Sequence, residues 1–248
     1  MRFALPLWKN TASVAAAPKV YRYSLPRFVQ SLSFWTTWAV LRGIMLCCVR
    51  VRSVGKFPAD LPGGFILAIN HNSHLDAHAA GCLVPRKVDW LSRVEFFRHR
   101  VWAFLLHAVS AIPIHRQGVP VRAIRTAIRT LQNGGNIGIC PEGEVRNGPE
   151  SVVYGGKLKR GVGLLAHRTG APVIPCVILG VQQLCRVEPW LPARRGEVWV
   201  NFGTPVFAEP GLSPKQAREQ LCKQVETQFC ELFADLQRIH ALPPKVLP

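Results

Sequence analysis

The sequence is poor in acidic residues, with 14 Asp and Glu against 31 Lys and Arg in 248 residues and a formal net charge of +17. Asp60 is the first carboxylate, preceded by Arg2, Lys9, Lys19, Arg22, Arg27, Arg42, Arg50, Arg52 and Lys56. Such an imbalance calls for an anionic partner, whether lipid, nucleic acid or a phosphorylated substrate. A disordered basic tail is excluded by the 48% hydrophobic content, which pays for a packed core and points to an anionic phospholipid membrane. No zinc-finger, RNA-recognition or helix-turn-helix signature is present, so nucleic acid is not expected. The 8 cysteines lack paired metal-ligand spacing and read as buried free thiols in a reducing compartment. Lys9 ends the first apolar run too early for a signal peptide.

An uninterrupted run of about 20 apolar residues, needed to span a bilayer, is also missing. The chain is uncharged from Phe28 to Leu41, then Arg42 intervenes before Gly43–Val49. The expectation is an interfacial helix, with Phe34, Trp35 and Trp38 at headgroup depth and Arg27, Arg42 and Arg50 on lipid phosphates. A helix packed on the rest of the domain fits the periodicity as well.

Short apolar runs follow at Phe65–Asn70, Val88–Leu91, Ala111–Ile114, Asn136–Cys140, Val173–Leu179 and Val198–Phe202, and read as buried strands. Helical stretches alternate with them at Val94–Val109, Val119–Asn133 and Lys157–Thr169, and a last one runs from Ser213 to Ile239. The expected fold is α/β, a mixed and largely parallel sheet flanked by helices, with an N-terminal membrane-binding helical segment. Residues 1–24 are expected as a flexible start, 25–56 as the membrane-associating helical segment, 57–241 as the α/β domain and 242–248 as a tail. Ligands in such sheets gather beyond strand C-termini.

His71 stands just past one predicted strand in NHNSHLD, and Asp76 lies five residues on. A carboxylate reaching back could orient the imidazole and make it a general base. Equally, Asp76 could cap the next helix beside an ordinary loop histidine. In CPEGEVRNG, Glu142, Gly143 and Arg146 occupy a turn after another strand, where Gly permits close approach and Arg can clasp phosphate, although such residues are common in any βα turn. Arg116 follows IPIH, and Lys157, Lys159 and Arg160 fall in GGKLKRG; each could meet an anionic headgroup. Arg122, Arg125 and Arg129 share one helix face and read as solvated.

Taken in order, these segments resemble the motif blocks of the glycerolipid acyltransferases. NHNSHLD is similar to the NHxSxxD block, IPIHR to the second block, PEG to the third and VIPCVI to the fourth, with KLKRG resembling the basic turn between the last two. The resemblance spans roughly residues 65 to 179. It implies transfer of a fatty acyl group from acyl-CoA or acyl carrier protein to a lysophospholipid hydroxyl, on an α/β fold, with His71 and Asp76 catalytic. Arg116 and Arg146 would then hold the acceptor phosphate with Lys159 nearby, and Glu142 and Gly143 would complete the acceptor site. EGEVR departs from the usual EGTRS: Glu144 and Val145 replace one small residue and displace Arg146 by one position.

Neither a cofactor nor a metal is expected, only the acyl donor as co-substrate, and the location expected is the cytoplasmic face of a membrane. Two other readings compete. His71, His74, Asp76 and His78 could serve a metal-dependent hydrolase, although their spacing lacks the HxHxDH pattern. A non-enzymatic basic membrane-binding protein would account for the charge alone.

Overall fold

The computed structural model describes residues 20–21, 26–73, 75–115, 119–184, 196–244 and 247–248. Among them the apolar runs become strands β1 (Val49–Ser53), β2 (Ile66–Ile69), β3 (Val88–Arg93), β4 (Ile112–Ile114), β5 (Asn136–Ile139), β6 (Val173–Leu179) and β7 (Gly196–Phe202). They form one sheet in the order β1-β7-β6-β2-β5-β3-β4. Every neighbouring pair is parallel except β6 with β7. The helices are α1 (Arg27–Cys48), α2 (Asp76–Leu83), α3 (Arg100–Ala108), α4 (Val121–Gln132), α5 (Gly161–Thr169) and α6 (Pro214–Ile239). This is the mixed, largely parallel α/β class expected from the sequence.

Burial explains the sheet order. Every residue of β2 and β6 is buried, as befits central strands covered on both faces. One face carries α4, α5 and α6, whose Ala127, Leu165, Val225 and Phe229 pack under the sheet. The other carries α2 and the end of α1, through Ala79, Ala80 and Met45. On α4, Ala123, Ala127 and Leu131 face inward at spacings of four while Arg122, Arg125 and Arg129 are exposed, so the solvated arginine face is confirmed. Ser213 and Gln216 close a capping box at the start of α6 with Pro214 in its first turn, worth about 1 kcal/mol relative to an uncapped start.

The role of one arginine and two boundaries differ from the sequence reading. First, α1 runs unbroken through Arg42, whose guanidinium donates to the Cys82 carbonyl and stacks over the Trp38 ring at 5.0 Å. Its charge is thus spent on the C-terminal end of α2, where carbonyls lack partners, rather than on lipid phosphate. Trp38 Nε1 adds a bond to the Gly81 carbonyl at 2.9 Å. Second, residues 49–53, expected inside the helical segment, form β1 and pair with β7; Arg50 and Arg52 there approach Glu197 at 3.7 and 3.0 Å. Third, the stretch Val94–Val109 divides at His99, extended at φ −96° and ψ 128°, into a short 3-10 helix (Val94–Arg98) and α3. Among the described residues no helix is long and apolar enough to cross a membrane.

Candidate active site

Beyond the C-terminal ends of β2 and β5 the chain delivers the two segments singled out above. Ala68 pairs with Ile139, so the parallel register sets His71 beside the turn that follows Cys140. Asn70, fully buried, locks this edge: its side-chain amide donates to the Ile178 carbonyl at 2.9 Å and its carbonyl accepts the Ile178 N–H at 2.7 Å. That pair of bonds ties the end of β2 to β6 just before the site, a role not foreseen from the sequence, although Asn directly after an apolar strand was its visible signal.

The next turn folds around one carboxylate oxygen. Asp76 Oδ2 accepts the N–H groups of Asn72 at 2.8 Å and Ser73 at 2.7 Å and lies 3.1 Å from His71 Nδ1. Asp76 is the first residue of α2 but does not cap it, since the cap position is Leu75 and no side-chain cap bond forms; its carboxylate closes the preceding turn and contacts the histidine instead. Asp76 is wholly buried and His71 is 8% exposed. Burial pushes Asp76 above the usual carboxylate range, opposed by His71 and the Ser73 and Asn72 N–H groups. For His71, burial opposes protonation, but the Cys140 sulfur and the Asp76 carboxylate outweigh it and raise the pKa from 6.5 to about 10. Physically, a buried site favours the net-neutral pair that retains a proton over a lone buried carboxylate.

Glu142 is also fully buried. Oε1 accepts from the Val152 N–H at 2.8 Å and the Ser151 hydroxyl at 3.2 Å, and Oε2 accepts from the His71 N–H at 3.4 Å. Its oxygens are thus committed to protein donors, and it braces the His71 backbone instead of presenting a carboxylate to an acceptor. Arg146 completes the brace, its backbone N–H donating to the His71 carbonyl at 3.0 Å. The Arg146 guanidinium donates to the Lys157 carbonyl at 3.1 Å and faces Glu144 at 3.7 Å. The displaced arginine and the added carboxylate of EGEVR therefore meet each other.

Gly143 sits at φ +80°, which favours glycine, and a Cβ there would also push aside the flexible end of the Lys159 side chain. Lys159 lies against this turn, its backbone N–H bound to the Pro141 carbonyl at 2.8 Å. No carboxylate pairs with the Lys159 ammonium among the described residues. His74 and Arg116 lie outside the described residues, so the four-residue metal reading and the second-block arginine have no geometry to report. His78 lines the same cavity as His71.

That cavity has a volume of about 930 Å³, at the upper end for small-molecule sites. His71, Cys140, Gly143 and Lys159 line it, and Trp90, Leu106 and Ile124 are among its apolar walls. Trp90 lies flat on β5 because the residue paired with it is Gly138, where any Cβ would strike the indole. A large, mainly apolar chamber whose lining includes the histidine of the dyad and a lysine suits a substrate having a long hydrocarbon part and an anionic head.

The family model described as Acyltransferase matches residues 48–179, more than half of the chain and the whole of this constellation. The chain belongs to the acyltransferase family. A 1-acyl-sn-glycerol-3-phosphate acyltransferase of Bacillus subtilis (strain 168) is 29% identical over 133 residues, which make up 53% of this acyltransferase chain and 63% of that protein. The chain is similar in fold to the 1-acyl-sn-glycerophosphate (LPA) acyltransferase PlsC from Thermotoga maritima, with a TM-score of 0.59 and 21% identity, over 83% of this chain and 88% of that one.

Proposed function

We propose that the protein transfers a fatty acyl group from a thioester, acyl-CoA or acyl carrier protein, to the hydroxyl of a lysophosphatidate-like lysophospholipid at an anionic membrane surface. The observation that carries this reading is the His71–Asp76 pair, joined at 3.1 Å, with His71 lining the apolar cavity. Family membership and the Bacillus relative's activity support the reaction class and the glycerol-phosphate headgroup.

In this mechanism Asp76 holds Nδ1 protonated, so Nε2 is the proton acceptor. The acceptor hydroxyl displaces the Cys140 sulfur from the imidazole and gives up its proton as its oxygen attacks the thioester carbonyl. The tetrahedral oxyanion collapses, the C–S bond breaks, and the departing thiolate takes the proton back from His71. Atoms and charge balance with no acyl-enzyme. Lys159 receives the acceptor phosphate as a point charge, and the hydrocarbon chain lies among Trp90, Leu106 and Ile124.

The test is to incubate purified protein with acyl-CoA or acyl carrier protein donors and a panel of lysophosphatidate, other lysophospholipids and phosphate-free lyso-aminolipids, before and after exhaustive chelation, and to identify products by mass spectrometry. Diacyl phospholipid formed only with a phosphate-bearing lysolipid, unchanged by chelation, is expected. Thioester hydrolysis without transfer, or activity restored only by zinc, would favour the hydrolase reading. Vesicle binding with no turnover would favour the non-enzymatic one.

A further inference from the structure

Cys140 stands in the chamber as a nucleophile that the transfer mechanism does not use. It follows β5 one residue beyond Ile139, the last position paired with β2. Its carbonyl accepts the Gly143 N–H at 3.0 Å, which fixes it at the start of the turn. The side chain packs against the cluster that includes Ile69 and Leu75, on the α2 side of the sheet, and lines the cavity together with His71. The thiol and the imidazole share a hydrogen bond, while Nδ1 of the same ring lies 3.1 Å from Asp76 Oδ2. A thiol beside a histidine that a carboxylate orients is the arrangement that activates sulfur for attack on a carbonyl.

The other thiol in the chamber lacks these parts. Cys82 also lines the cavity, but burial pushes it up to about 11, and the charged group acting on it is the Arg42 guanidinium, which cannot take a proton. Among the described residues no further cysteine lines the cavity. The chamber itself supplies the electrophile. Its apolar walls receive the acyl chain in the proposed transfer, which brings the donor thioester to His71. The carbonyl that His71 presents to an acceptor hydroxyl is thereby presented also to the sulfur that this hydroxyl must displace.

We propose that Cys140 is a site of self-acylation: while the acceptor site is empty, its sulfur takes the fatty acyl group of the bound donor and holds the enzyme, outside the transfer cycle, as an inactive thioester. His71 removes the thiol proton, the Cys140 sulfur attacks the donor carbonyl, the donor C–S bond breaks, and the departing thiolate recovers the proton from His71. One thioester is consumed and one is formed, so no further reactant is needed, and excess donor thiol runs the step backward. The adduct fills the chamber with its own chain and keeps out a second donor. A lysolipid already in place puts its hydroxyl between sulfur and imidazole and directs the same donor to product. The step needs the thioester donor of the proposed function but no acceptor, so it is read apart from transfer.

The experiment is intact-protein mass spectrometry of the full chain after incubation with palmitoyl-CoA and no acceptor. A single added palmitoyl group is expected, mapped to Cys140 by peptide analysis and removed by hydroxylamine or by excess coenzyme A. Cys140→Ala should carry no adduct, and His71→Ala, with the thiol intact, should form it about 100-fold more slowly or worse. Preincubation with palmitoyl-CoA should lower the initial rate of transfer to lysophosphatidate in proportion to the adduct, and coenzyme A should restore it. An unmodified Cys140 in a preparation that transfers acyl groups would overturn the proposal and leave the transfer reading standing. So would an adduct on Cys82, or one that forms as fast in His71→Ala, which would mark unassisted acylation of an accessible thiol. An adduct that leaves the initial rate undiminished would also overturn it, by placing the thioester within turnover. Self-acylation at Cys140 with no transfer to any acceptor would uphold the site and sink the transfer reading instead.

Discussion

Replacing Asp76 by Asn separates the charge of the dyad from its geometry. One oxygen, Oδ2, accepts from Asn72, Ser73 and His71 at 2.8, 2.7 and 3.1 Å, and an amide oxygen can keep all three contacts. What disappears is the negative charge that stabilises the imidazolium during transfer. A hydrogen bond to a charged group is worth about 1.5–3 kcal/mol against about 1 for a neutral one, and loss of the accompanying Coulomb attraction adds to that difference. Asp76→Asn should therefore lower kcat by about 10- to 100-fold with KM for the donor unchanged, measured by release of the donor thiol. Its melting temperature should stay close to that of the parent. Asp76→Ala, by contrast, strands two buried N–H groups at about 1–3 kcal/mol each, so its loss of activity mixes with unfolding. A fully active Asn variant would refute the claim that the carboxylate works through its charge.

Other outcomes follow from the same geometry. Because the proton acceptor must be deprotonated and the His71 pKa is raised to about 10, activity should climb with pH through the neutral and alkaline range. Cys140→Ser removes the largest upward influence and should move that rise to lower pH while transfer persists; an inactive serine variant that still binds donor would indicate an acyl-thioester on Cys140. Glu142→Gln turns an amide N–H toward one of its buried donors and should cost about 1–3 kcal/mol, read as a lower urea midpoint together with a lower kcat. Lys159→Met should raise KM for a phosphate-bearing acceptor about tenfold without altering KM for the donor, and an unchanged acceptor KM would remove Lys159 from the headgroup site.

The strands that carry the site were legible because β2, β5 and β6 are short, continuously apolar and bounded by turn residues, the pattern of strands buried on both faces. β1 was not, because Arg50 and Arg52 alternate with Val49 and Val51 on a strand directly continuing an apolar helix, and only pairing with β7 decides its state. Arg42 looked like an interruption since a charge inside an apolar run is costly alone; its partners, Trp38 and the Cys82 carbonyl, appear only when α1 meets α2. In the site, the local spacing of His71 and Asp76 could be read directly, because both belong to one turn. The commitment of Glu142 to the His71 N–H could not, since it depends on β5 lying next to β2, and the approach of Lys159 to Gly143 likewise depends on tertiary packing. The pairing of Arg146 with Glu144 lay in plain view in EGEVR, but the sequence reading assigned that arginine to a ligand.

The central claim is that His71 removes the acceptor proton in direct transfer to the lysolipid. His71→Ala should bind the acyl donor with unchanged affinity and lose about 100- to 10,000-fold in single-turnover transfer, whereas near-normal formation of the diacyl product by that variant would contradict the account.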